Sequence, residues 1–122
     1  MIDVLTGFPS NIVAAAARGV VTRQDYQDVL EPRVELALKQ HAKVRCYYEL
    51  GAQFIRMEPG AMWEDFKIGT AHLTRWERVA VVTDVEWIRQ AVNIFRFLMP
   101  GEVRVFPTAA VATAHEWIVA AT

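Results

Sequence analysis

The segment Arg78-Val79-Ala80-Val81-Val82-Thr83 carries four apolar residues in a row, with no polar face to leave in water. A strand of that kind is stable only when both faces are covered, as at the centre of a parallel sheet. Parallel neighbours require crossover connections of a dozen residues or more, normally helical. This one segment therefore predicts an α/β chain. Lys43–Leu50 supports it by alternation, which puts Val44, Cys46, Tyr48 and Leu50 on one face of a second strand.

The remaining segments fit between these two. Ile2–Leu5 and Ile12–Val21 are apolar runs separated by the turn-rich Thr6-Gly7-Phe8-Pro9-Ser10-Asn11, which reads as a hairpin or two neighbouring strands. The alanines of the second run resemble a helix, but Gly19 and the β-branched Val20-Val21 favour a strand. Thr22, with Asp25 three residues on, has the form of a capping box and opens a helix to about His41. Pro32 lies inside that helix and predicts a kink near Asp28 and Val29.

After Leu50 the sequence predicts a loop over Gly51–Gly60, then a helix from Ala61 to Thr74 with Met62, Phe66, Gly69 and Leu73 facing inward. Asp84 reads as the N-cap of a helix reaching Met99, which Pro100-Gly101 terminates. Glu102–Phe106 is the last strand, and Thr108 caps a final helix ending near Ala121. The expected order is β-β-α-β-α-β-α-β-α, with helices on both faces of the sheet. The 122 residues read as a single domain, 1–122, with no linker or repeat, and the 53% apolar share is enough for a core.

Several function classes are disfavoured. Thirteen basic against fourteen acidic residues form no footprint for nucleic acid. No window approaches a membrane span and no signal peptide is evident, which makes cytoplasmic the default expectation. Cys46 is the sole cysteine and reads as a small buried hydrophobe. His41, His72 and His115 fit no metal motif, the sole serine is Ser10, and the six glycines form no phosphate-binding loop. No catalytic residue, metal or cofactor is expected, and binding is favoured over chemistry.

Three places stand out as candidate sites. Trp63-Glu64-Asp65-Phe66-Lys67, with His72 further along, is the densest polar and aromatic cluster. Trp63 and Lys67 are spaced for a cation–π contact. Asp65 and His72 share a helix face at a rise of about 10 Å, too far for a direct hydrogen bond but suited to a common ligand. An enzyme using Asp65, Lys67 and His72 is the weakest functional reading, and a surface helix is the plain alternative. Thr83 and Asp84 sit where α/β sheets gather ligands, although helix capping also accounts for Asp84. The Val85–Met99 helix is apolar around most of its girth. Trp87, Ile94, Phe97 and Leu98 are therefore expected at a homodimer interface or a ligand wall, with ordinary burial as the alternative. His115-Glu116 reads as a solvated pair.

Stretches spread over the whole chain resemble one bacterial family. They are the opening Ile2 to Pro9, Pro59-Gly60-Ala61-Met62-Trp63-Glu64-Asp65-Phe66-Lys67, Arg78 to Asp84 with Trp87, and Pro100-Gly101-Glu102-Val103-Arg104-Val105-Phe106. Together they are similar to the SpoIIAA-like family, whose fold is related to STAS domains (the anti-sigma factor antagonists) and to CRAL-TRIO lipid-binding domains. The resemblance implies a five-stranded mixed sheet with four helices. The leading functional expectation is a non-enzymatic binding or regulatory module of STAS type, acting as a homodimer or on a protein partner, and the runner-up is a binder of a small apolar or lipid-like ligand. For the apolar ligand, the expected place lies between the Met62–Leu73 helix, the Val85–Met99 helix and the sheet. A STAS switch carries a phosphorylatable hydroxyl after the strand that follows its first helix. The matching stretch here, Glu49-Leu50-Gly51-Ala52-Gln53, has none.

Overall fold

In the computed structural model, which describes residues 1–121, five strands form one sheet in the spatial order β1-β2-β3-β4-β5. They are β1 Ile2–Val4, β2 Ile12–Val21, β3 Val44–Met57, β4 Trp76–Thr83 and β5 Glu102–Phe106. β1 runs antiparallel to β2, and every other neighbouring pair is parallel. The expected first helix is a continuous helical stretch in three parts: α1 Arg23–Asp25, a π-helical segment Tyr26–Leu30, and α2 Glu31–Gln40. It is followed by α3 Pro59–Ala71, α4 Glu86–Phe95 and α5 Val111–Val119. The mixed sheet and its four helical regions are those the sequence implies.

The alanines of β2 make a strand because the strand is sandwiched. Val13, Ala14, Ala15 and Ala17 are all buried, and tertiary packing overrides the helical propensity of alanine. Gly19 has φ +60°, a left-handed conformation other residues resist, and marks a break in the β2–β3 register. Thr22 and Asp25 form the expected reciprocal cap, at 2.9 and 3.2 Å. The irregularity foreseen at Pro32 takes the form of the π-helical segment just before it. Proline removes one donor and crowds the carbonyl four residues back, and the wider turn absorbs both effects.

Several boundaries differ from expectation. β3 does not stop at Leu50 but continues through the presumed loop to Met57, because the far half of β2 supplies partners: Gly19 faces Phe54, Val20 faces Arg56 and Val21 faces Met57. An added stretch of hydrogen-bonded ladder outweighs the poor strand propensity of Gly51. α3 starts at Pro59, where a missing N–H is harmless, and ends at Ala71 instead of Thr74. α4 ends at Phe95, and tight turns from Ile94 to Phe97 and Phe95 to Leu98 replace its expected last turn. Finally, Asp84 does not cap α4; it accepts hydrogen bonds from the backbone and hydroxyl of Thr108. Thr108 in turn opens a short 3-10 turn, Thr108–Ala110, and α5 begins only at Val111.

Helices do cover both faces, but unequally. Val34, Ala37, Ala61 and Ile88 from α2, α3 and α4 share one core with Val13, Ala15, Tyr48, Leu50 and Val81 of the sheet. On the opposite face α5 alone, through Ala114 and Ile118, covers Ile12, Ala14, Tyr47, Ala80 and Val82. Right-handed crossovers between strands that advance steadily in one direction all fall on one side, leaving only the last helix for the other.

Candidate functional site

The crowded face is incompletely filled. α3 leans on the helical turns after β2, and α4 leans on β4 and β5. A cavity of about 340 Å³ lies among these helices and the sheet, within the range typical of small-molecule sites. Its walls include Leu30 and Val34 from the first helical stretch, Val79 and Val81 from β4, and Ile88 and Val92 from α4. Met62 and Phe66 of α3 and Trp87 of α4 line it while remaining exposed at 41%, 49% and 45%, which places them at its rim. Of the expected inward stripe of α3, Gly69 lies against the Phe95 ring and Leu73 packs on the core, whereas Met62 and Phe66 do not. The buried residues of α3 are Ala61 and Glu64, while Met62 and Phe66 face an opening instead of a packed core.

The apolar lining holds one carboxylate. Asp65 lines the cavity and is exposed. Its Oδ1 lies 2.9 Å from the Tyr26 hydroxyl, which is itself 3.0 Å from the Tyr48 hydroxyl. A hydroxyl has one proton, so when Tyr26 donates to the carboxylate it accepts from Tyr48. Packed protein around Asp65 pushes its pKa up, against the opposing effect of the Tyr26 hydrogen bond. Burial and the nearby carboxylate likewise raise both tyrosines. Cys46 also lines the cavity, and burial pushes its thiol up to about 12, so it is not a nucleophile at neutral pH. The indole N–H of Trp76, another lining residue, is buried without an acceptor among the described residues.

The structure separates the residues that the helical spacing groups. Asp65 and Trp87 meet at the cavity, whereas His72 ends α3 and does not line it. Lys67 pairs with the buried Glu64 at 3.2 Å instead of stacking on Trp63. Trp63 stacks on Phe66, with centroids 5.9 Å apart, and is 54% exposed. Thr83 is fully buried and accepts the Val85 N–H at 3.1 Å, so Thr83 and Asp84 serve the backbone. Ile94, Phe97 and Leu98 are exposed and stand outside the cavity. His115 is not merely solvated, since its ring packs against Tyr47 and Phe8. Sequence reasoning missed Tyr26 and Tyr48 as partners of Asp65. Their only visible signal was a place on apolar faces of the first helix and of β3.

Comparison with known proteins agrees with this architecture. A crystal structure of an uncharacterized DUF3478-family protein with a SpoIIAA-like fold, from Shewanella loihica PV-4, superposes with a TM-score of 0.73. The two are 24% identical, over 96% of this chain and 93% of the other. Among curated proteins none matches the sequence. The sequence profile of the SpoIIAA-like family matches residues 12–119, and the chain belongs to that family.

Proposed function

We propose that the chain is a non-enzymatic binding module whose ligand is a small, largely apolar molecule held between α3, α4 and the sheet. The observation that carries this reading is the cavity of about 340 Å³, walled by aliphatic and aromatic side chains with a single carboxylate among them. Exposed apolar groups at its rim fit entry of such a molecule. A catalytic reading finds less support, because His72 and Lys67 stand apart from Asp65 and the Cys46 thiol stays protonated. The test is uptake of the neutral dye N-phenyl-1-naphthylamine, combined with native mass spectrometry of protein from its own host. The dye brightens with the wild-type chain, and Ala91→Trp, which fills the cavity from α4, weakens its binding about tenfold or more. A wild-type chain that neither takes up the dye nor retains a ligand overturns the proposal.

A second reading, protein binding of STAS type or self-association, is favoured by a different surface. Ile94, Phe97 and Leu98 expose 70%, 87% and 57% of their area around the end of α4. Three large apolar side chains so exposed and so close together suit a homodimer contact or a protein partner. Such binding works without a phosphate switch, since the stretch Glu49–Gln53 is strand without a hydroxyl.

A further inference from the structure

Resting on the cavity reading, we propose that the ligand is amphipathic, with a protonated amine seated on the free oxygen of Asp65 and an apolar body along the cavity. The first support is charge. Asp65 is the only carboxylate among the lining residues, and no lysine, arginine or histidine lines the cavity with it. Its Oδ1 is occupied by Tyr26, while Oδ2 has no hydrogen-bond partner or cation among the described residues. A carboxylate on an otherwise apolar lining, with no counterion among the described residues, gains most from a ligand that brings the cation. The second support is the wall. Tyr48, Phe66, Trp76, Trp87 and Phe95 surround the same space with aromatic rings, whose faces attract an ammonium group.

The same arrangement disfavours the other amphiphile heads. A fatty-acid carboxylate would meet a like charge and no base to offset it. An alcohol could donate to Asp65 but would leave its charge uncompensated. Recognition therefore separates amine from alcohol and alcohol from acid, at constant apolar length.

Octylamine, octanol and octanoate share one chain length and differ only in the head, so calorimetric titration of the full chain with each at neutral pH tests the idea. Octylamine is expected to bind at least about tenfold tighter than octanol, with octanoate weakest. Asp65→Asn keeps an oxygen for Tyr26 and removes the charge, and should bring amine and alcohol to within about twofold of each other. Octanoate binding as tightly as octylamine, or an amine preference that survives Asp65→Asn, overturns the inference. The order of the three probes on the wild-type chain decides the matter even if the variant folds poorly. Octanol binding without any amine preference sinks the head-group assignment alone, whereas no binding of any probe also sinks the cavity reading.

Discussion

Glu31, the first residue of α2, and Glu64 of α3 are neighbouring carboxyls close enough to share a proton. That sharing, then burial and the nearby Glu64 charge, raise Glu31 to about 7. Glu64 moves the other way, lowered by the Glu31 carboxyl and by Lys67 and Arg23, so one proton serves the pair. Because Glu31 holds its proton more tightly when folded, its contribution to stability is complete below about pH 4.5 and is lost as pH rises through about 7. The urea midpoint is accordingly expected to fall from about pH 5 to about pH 8, and Glu31→Gln, which keeps a donor without the titration, should flatten that decline. An unaltered pH profile in the variant would place the effect elsewhere. Neither this pair nor the Asp65 cluster is visible along the chain. Spacing links Asp65 to His72 on one helix, while its actual partner, Tyr26, is 39 residues away in sequence. Local periodicity finds the face a residue occupies; it carries no information about which distant side chain arrives there.

Among the elements, α5 depends on contacts that its own sequence does not advertise. Arg45 donates to the carbonyls of Ile118 and Ala120 at 2.8 and 2.6 Å, and Arg78 donates to those of Trp117 and Ala120 at 2.8 and 3.2 Å. Both arginines are buried, and both place positive charge at the negative end of the helix. Arg45→Met is expected to destabilise the fold by about 2–3 kcal/mol, and amide exchange should quicken first in α5. Uniform acceleration across the sheet would argue against this anchoring. Legibility was uneven at this scale. Thr22 with Asp25 announced a helix start and Pro32 its irregularity, since both act through neighbouring backbone. The extension of β3 to Met57 was hidden because its cause is β2, which offers unpaired groups alongside.

For the molecule as a whole, the alternation of strands and helices was readable because it sets the connectivity. The cavity was not, since it arises from how far α3 and α4 stand off the sheet. The expected place for a ligand nevertheless coincides with it, between those two helices. The apolar group at the end of α4 makes a separate demand. If it mediates self-association, Phe97→Glu buries a charge in the contact and the chain should sediment as a monomer, against a dimer for the wild type. An identical sedimentation profile for both would remove that surface from consideration.

The order β1-β2-β3-β4-β5 also bears on how the chain acquires its shape. Each strand pairs with the one made just before it, so every newly synthesised segment meets a partner already in place. Emergence from the ribosome can thus lay down the sheet one strand at a time, with low penalty for closing loops. The exception is the face that α5 covers, which stays bare until α5 is made. During that interval Arg45 and Arg78 have no helix end to hold, and the apolar strip of Ala14, Tyr47 and Ala80 lies open to chaperones or to neighbouring chains.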